Sequence, residues 1–225
     1  MNKFFQKDSV IFNNFSKKRF LITGGSGMLA NSFARQLKKY TKNTKIYCFA
    51  KNKLDVSKKN SFNKLKFIKP DYIIHCAALV NADLCEKKSK LAKKNIYDGT
   101  KNIIEFAKKN KSKIFYPQSF LIYKSSNKKV DENTSPKPLS VYGKYKLRSE
   151  QILLKSYKNS LIVRMGGFFG GEKIDNNFVG KITRHISYLI KSGTTELKIG
   201  DRVWQPSYTE DLAYNSLVLL AYKKS

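Results

Sequence analysis

A chain of 225 residues with 41% apolar content is long enough for one complete α/β domain with little to spare. No run approaches the ~20 consecutive apolar residues that cross a bilayer, and Met1-Asn2-Lys3-Phe4-Phe5-Gln6-Lys7-Asp8 lacks a signal-peptide core, so a cytoplasmic protein with no membrane partner is expected. The net charge of +29 does not argue for nucleic acid, because the lysines are strewn from end to end between apolar helix positions without any zinc-finger or RNA-recognition signature, and serves at most to draw in an anionic substrate.

Residues 1–18 form an extension without a motif, in which Phe4, Phe5, Ile11, Phe12 and Phe15 predict a docked helix. Arg19-Phe20-Leu21-Ile22 reads as a short buried strand, and Leu29, Phe33 and Leu37 recur after it at helical spacing. Between the two runs Thr23-Gly24-Gly25-Ser26-Gly27-Met28-Leu29-Ala30. A strand that turns through glycines into a helix can cradle a phosphate. Residues without a Cβ let the backbone approach, and the positive end of the helix dipole faces the anion. Gly24 and Gly27 fill the first two places of G-x-x-G-x-x-G, and Ala30 takes the third, where a methyl group still packs. A bare turn would look similar by itself; the strand before and the helix after favour dinucleotide binding.

Lys45-Ile46-Tyr47-Cys48-Phe49-Ala50 makes a second strand. An acid near its end would hold an NAD ribose, but Ala50-Lys51-Asn52 stands there, and the Lys51 cation tips the choice between NAD and NADP toward NADP. Leu54-Asp55-Val56 follows, with Asp55 either at the rim of an adenine pocket or capping a turn. A helix capped by Ser57 comes next, with Phe62 and Leu65 inward. Tyr72-Ile73-Ile74-His75-Cys76-Ala77-Ala78 is a third strand, and the small residues at its end leave room for a cofactor. His75, inside that run, reads as a satisfied core imidazole. Cys48, Cys76 and Cys85 have no ligand spacing; they read as buried, reduced thiols, and no metal site is predicted.

A long helix over residues 91–109 turns Ile96, Ile103, Ile104 and Phe106 inward and carries Asn95 and Asn102, which could bond backbone near the sheet. Lys113-Ile114-Phe115-Tyr116-Pro117-Gln118-Ser119 is a fourth strand ending at a hydroxyl. Pro136 and Pro138 mark a loop, a helix carries Tyr142-Gly143-Lys144-Tyr145-Lys146, and Ser160-Leu161-Ile162-Val163-Arg164 is a fifth strand. Alternation at this pitch predicts an α/β fold, a doubly wound parallel sheet with right-handed crossovers.

Tyr142 and Lys146 stand four apart on that helix and share a face. A phenol with an ordinary pKa of about 10 is a poor proton carrier near neutrality; an ammonium beside it stabilises the phenolate and lowers that pKa. Ser119 at the strand end can hold a substrate oxygen in line.

Taken together these residues resemble an extended short-chain dehydrogenase/reductase, the NAD-dependent epimerase/dehydratase superfamily. The motifs are T-G-G-S-G-M-L-A at residues 23–30, L-D-V at 54–56, H-C-A-A at 75–78, N-I-Y-D-G-T-K-N at 95–102, V-D-E-N-T-S-P at 130–136 and V-Y-G-K-Y-K at 141–146. Ile162-Val163-Arg164, Asn177-Phe178-Val179 and the run G-D-R-V-W-Q-P-S-Y-T-E-D-L-A at 200–213 most resemble the dTDP-4-dehydrorhamnose reductases.

The resemblance implies a Rossmann-type domain over residues 19–165, with 166–225 a small, truncated substrate-binding region interleaved with it. It places Gly24, Ser26, Gly27, Met28 and Leu29 at the pyrophosphate, Asp55 and Val56 at the adenine, and Ala77, Ala78 and Leu79 at the cofactor ribose. Tyr142 and Lys146 would meet the nicotinamide ribose; Tyr142 would exchange the proton, Lys146 lower its pKa and Ser119 hydrogen-bond the reacting oxygen. The implied activity is NAD(P)-dependent reduction of a 4-keto nucleotide sugar, with epimerisation or dehydration as the enzymatic rival, a non-catalytic dinucleotide-binding subunit as the other, and a homodimer as the family's usual assembly. Two sugar-recognition positions depart from the pattern: Phe120 replaces the usual acid after the catalytic hydroxyl, and Gly167 stands where a tryptophan follows the fifth-strand arginine. The chain also ends soon after Asp211-Leu212-Ala213, so a fragment or a reduced cap is expected.

Overall fold

Strands that are apolar on both faces are satisfied only inside a sheet covered on both sides. The computed structural model, which describes residues 11–124, 129–171, 174–175, 177–194, 196–200 and 205–222, pairs five of them in parallel. These are β1 (Arg19–Thr23), β2 (Lys45–Phe49), β3 (Tyr72–His75), β4 (Lys113–Ser119) and β5 (Ser160–Met165), in the order β2-β1-β3-β4-β5. Phe4, Phe5 and Asp201-Arg202-Val203-Trp204, singled out in the sequence, lie outside the described residues.

The helices in chain order are α1 (Met28–Tyr40), α2 (Ala82–Lys87), α3 (Ser89–Lys93), α4 (Gly99–Asn110), α5 (Val141–Ser156), α6 (Phe178–Lys191) and α7 (Thr209–Tyr222). Period-two alternation divides the strand residues between two faces. Phe20, Ile22, Ile74 and Phe115 pack with Leu29, Phe33 and Leu37 of α1 and with Ala213, Leu217 and Leu220 of α7. Leu21, Ile73, Ile114 and Tyr116 pack instead with Ile103 and Ile104 of α4 and Leu153 of α5. Arg35 Nε donates to Glu210 Oε1 at 2.8 Å, and Gln36 Nε2 donates to the same carboxylate, so α7 is clamped to α1. The described end of the extension docks through a 3₁₀ turn at Asn13–Phe15: Phe12 and Phe15 are fully buried, the latter edge-on to Phe20 and Tyr72 at 5.1 Å each.

Four local readings change. The helix expected over residues 91–109 is interrupted by a π-turn at Lys94–Asp98, and α2 precedes it. A π-turn widens the helix; the Ile96 carbonyl within it accepts from Thr100 Oγ1 at 2.7 Å and Ser149 Oγ at 3.3 Å. The segment after Val56 is a 3₁₀ helix, Lys59–Leu65, whose N-cap is Lys58. Ser57 lies one residue before the N-cap, and its hydroxyl donates to Asp55 Oδ1 at 2.7 Å; Phe62 and Leu65 do face inward. Strand β3 stops at His75, and of the three free thiols only Cys85 is buried, Cys48 and Cys76 being half-buried.

After Met165 the chain makes β6 (Gly167–Phe169), then α6, which buries none of its residues, then β7 (Pro206–Tyr208), which pairs parallel with β6 in a small second sheet. Among the described residues no helix is long and apolar enough to cross a membrane, and no group of His, Cys, Asp and Glu could hold a metal ion.

Candidate functional site

In an open parallel sheet the crevice lies beyond the carboxyl ends of the strands, where the connections part to opposite faces. Here that point lies between β1 and β3, and the glycine turn occupies it. Gly25 N–H donates to Phe49 O and Gly27 N–H to Gly24 O, both at 2.8 Å. Gly24 has φ +76°, and a Cβ there would lie 2.8 Å from Ala77 N; a Cβ at Gly25 would lie 2.9 Å from the Phe49 carbonyl carbon. The turn is therefore pressed against β3 on one side and β2 on the other. No side chain caps α1 and no acid sits in its first turn, so its leading N–H groups remain for an anion. Leu29 sends its side chain into the core and can offer only its backbone, whereas Ser26 is exposed at the tip and Met28 lies against Gly171.

Asn31, which the sequence reading passed over, holds this shape: its Nδ2 donates to Gly25 O at 3.1 Å and Gly27 O at 2.9 Å. The only signal for it was an amide one helical turn past Gly27. Replacing Gly24 by Ala forces a side chain into the left-handed region and onto Ala77, and we expect a loss of about 1–3 kcal/mol in a urea melt, with weaker dinucleotide binding by titration.

The remaining dinucleotide candidates surround the turn. Ala77 N–H donates to Thr23 Oγ1 at 3.1 Å, and the same hydroxyl meets His75 Nδ1 at 2.9 Å, while His75 Nε2 meets Thr100 Oγ1 at 3.3 Å. His75 is thus a satisfied core imidazole, held down at about 3 by burial first and by Lys146 second. Ala78 and Leu79 pack with Tyr142 and Cys85. Lys51 Nζ donates to Asn95 Oδ1 at 3.3 Å, joining the end of β2 to the π-turn. Asp55 Oδ1 accepts from Ser57 N at 3.0 Å and from Ser57 Oγ, the turn-capping role. Burial alone would raise that carboxyl; the Ser57 hydrogen bonds, with Lys51 and Lys58, outweigh it and hold it low. Val56 is buried against Gly99, and Asn102 Nδ2 donates to Val56 O at 2.8 Å.

On the other side of the crevice β4 delivers Ser119 and α5 delivers Tyr142 and Lys146. Ser140 starts α5 by accepting from Gly143 N at 3.0 Å, which fixes the first turn carrying Tyr142. Gly143 is required there, since a Cβ would lie 2.2 Å from Leu121 O. Tyr142 is buried among Cys85, Ala92 and Ile96, with its phenol facing the Ser119 hydroxyl. Burial pushes its phenol up to about 12, the Ser119 hydroxyl pulling the other way. Phe120, 44% exposed, adjoins Ser119, and Gly167 begins β6 two residues past Met165, the register partner of Ser119.

Lys146 departs from expectation. Its Nζ donates to Pro117 O at 2.7 Å and lies 3.8 Å from the centroid of the Tyr116 ring, and burial holds it down at about 7. It does not figure among the groups that set the Tyr142 phenol, which burial and Ser119 govern instead. The lysine and the tyrosine share a helix face, but the ammonium is drawn toward β4. A lysine that is harder to protonate when folded costs stability wherever the unfolded chain keeps its proton. Between about 7 and its ordinary 10.5 the unfolded state binds more protons, so stability rises with pH. Thermal melts from neutrality to pH ~9 should therefore climb for the wild type, and the slope should flatten in Lys146→Met.

Residues that the sequence reading did not assign complete the wall. Gln118 is 2% and Glu150 3% exposed. Gln118 Oε1 accepts from Ser119 N at 2.9 Å, while its Nε2 donates to Glu150 Oε2 at 2.7 Å and Lys146 O at 3.0 Å. Arg164 Nη2 donates to Glu150 Oε1 at 2.5 Å, and its Nη1 to Tyr123 OH at 2.6 Å and Glu132 O at 3.2 Å.

Comparison with known proteins bears on the family and the fold. The family described as RmlD substrate binding domain matches residues 18–225. A dTDP-4-dehydrorhamnose reductase from Aggregatibacter actinomycetemcomitans is 30% identical over 91% of this chain and 68% of its own length. Methionine adenosyltransferase 2 subunit beta of Xenopus tropicalis is 24% identical over 87% of this chain, which spans 60% of that protein. Among solved structures, a dTDP-4-dehydrorhamnose reductase from Clostridium acetobutylicum superposes with a TM-score of 0.79 at 29% identity, covering 90% of this chain and 70% of that one. The Bacillus anthracis dTDP-4-dehydrorhamnose reductase, solved in complex with NADP, gives 0.77 at 27% identity, with 90% and 71% covered.

Proposed function

The chain belongs to the RmlD substrate binding domain family, and from that premise we propose that it is a sugar-nucleotide reductase using NADPH, with Ser119, Tyr142 and Lys146 as its chemical groups. The observation that carries the reading is the Tyr142 phenol facing the Ser119 hydroxyl at the carboxyl edge, across the crevice from a glycine turn that admits no Cβ. Gly24, Gly27 and the leading N–H groups of α1 would hold the pyrophosphate, Lys51 a 2′-phosphate, and Ala77 and Ala78 would leave room for the ribose. NADPH, when bound, supplies the hydride. Tyr142 then gives its proton to the ketone oxygen at ring carbon four, with the Ser119 hydroxyl holding that oxygen in line. A buried phenol gives up its proton only to an oxygen that gains negative charge, so the transfer is tied to reduction of the carbonyl.

The test is net consumption of NADPH by the purified protein with dTDP-4-dehydrorhamnose, followed as loss of reduced-cofactor absorbance. Product formed without net cofactor loss would favour an epimerase or dehydratase instead. A second reading has its own support in the methionine adenosyltransferase 2 beta subunits among the relatives: a dinucleotide-binding subunit of another enzyme. It predicts NADPH binding with no turnover of any keto sugar.

A further inference from the structure

We propose that Gln118 is a positioning residue: its side-chain amide fixes the Ser119 backbone against α5 and thereby sets the Ser119 hydroxyl beside the Tyr142 phenol. The inference rests on the reductase reading for its kinetic consequence and on the geometry alone for the placement.

The two halves of the chemical site come from different elements. Ser119 ends β4, whereas Tyr142 and Lys146 ride on α5, so something must hold strand end and helix in register to within a fraction of an ångström. The backbone ladder cannot do it: β4 pairs with β5 up to Ser119↔Met165 but with β3 only up to Ile74↔Phe115, leaving the last residues of β4 unsupported on the β3 side. Gln118 supplies the connection. A carboxamide has one acceptor oxygen and two donor hydrogens, and here all three are used. Oε1 takes the Ser119 N–H, and Nε2 serves the Lys146 carbonyl and the Glu150 carboxylate. Its bonds therefore reach Ser119 on the strand and Lys146 on the helix. Glu150 is in turn gripped by Arg164 of β5, so the amide sits at a junction of β4, α5 and β5.

No other polar side chain has this set of capacities at that length. Met fills the same volume and makes none of the bonds. Glu offers the acceptor, but as a carboxylate it cannot donate to Glu150 and repels it. When one proton is shared between the two carboxyls, a protonated Glu at position 118 can donate toward Glu150 and still accept from Ser119 N–H. The charged and titratable groups around the position are Glu150, Lys146 and Tyr142 of α5, Arg164 of β5 and Tyr116 of β4.

The experiment is steady-state turnover of NADPH with dTDP-4-dehydrorhamnose by the full chain, as wild type, Gln118→Met and Gln118→Glu, with NADPH binding and thermal melts alongside. In Gln118→Met we expect kcat to fall by about 10²-fold, the scale of a small misplacement at a reacting centre, with KM for both substrates within about threefold. In Gln118→Glu the kcat ratio to wild type should recover as pH falls, which loss of packing alone would not produce. Wild-type kcat in Gln118→Met, or a pH-independent ratio in Gln118→Glu, overturns the proposal. If the wild type binds NADPH but reduces no ketone, the reductase reading fails on its own. The placement is then read from the Ser119 amide by hydrogen exchange and its proton chemical shift. Slow exchange in the wild type and fast exchange in a folded Gln118→Met supports it; an unprotected Ser119 amide in the wild type, or equal protection in both, overturns it. Should neither variant fold, the wild-type amide alone decides.

Discussion

Tyr142→Phe should lower turnover by about 10²–10⁴-fold, the usual worth of a positioned proton donor, while NADPH affinity stays within about threefold. The substitution is nearly pure, because the ring keeps its contacts with Cys85, Ala92 and Ile96 and only the hydroxyl leaves. What the variant lacks is the hydroxyl that we propose protonates the ketone oxygen beside Ser119. Fold stability should hardly change, since the facing Ser119 is partly exposed and no buried polar group is orphaned. The measurement is NADPH consumption with a 4-keto sugar nucleotide beside a fluorescence titration of NADPH. Undiminished turnover would place the proton transfer on another group.

Arg164→Met acts on stability instead. Glu150 is 3% exposed, and its carboxylate is answered by Arg164 and Gln118. Removing the guanidinium strands a buried negative charge, a defect that typically costs ~3–5 kcal/mol; because the Arg164 side chain is 26% open to solvent, the lower end is expected. The loss should be partly reversed in Arg164→Met/Glu150→Gln, where no charge is left to satisfy. Denaturant melts of the single and double variants measure both. Turnover should suffer as well, because Arg164 also holds Tyr123 OH and the Glu132 carbonyl of the loop that follows Ser119.

The sequence made the sheet legible because buried parallel strands announce themselves as uninterrupted apolar runs. β4 falls on the residues read for it, 113–119, and β1 and β2 within one residue. The π-turn was hidden: one extra residue in a helix shifts the phase of Ile96 against Ile103 too little to show in so short a pattern. The switch from α to 3₁₀ after Val56 was also hidden, since apolar residues three apart, Phe62 and Leu65, fit one face of either helix. At the site, Ser119 and Tyr142 could be found because each sits at a marked place, a strand end and the first turn of a capped helix. Gln118, Glu150 and Arg164 could not, as they join segments 32 and 14 residues apart and carry no spacing of their own. The direction taken by the Lys146 ammonium needed knowledge that β3 stops short and leaves a carbonyl of β4 open to it.

An amide hydrogen missing from one rung keeps two strands from zipping together there. Lys113 N–H donates across to Asp71 O, so the odd-numbered residues of β4 are the ones that address β3. Continuing that stride brings the His75 carbonyl opposite residue 117, which is proline and has no hydrogen to offer. The gap between β3 and β4 is thus written into the covalent chain itself, and the cleft beyond it is held apart without help from any occupant.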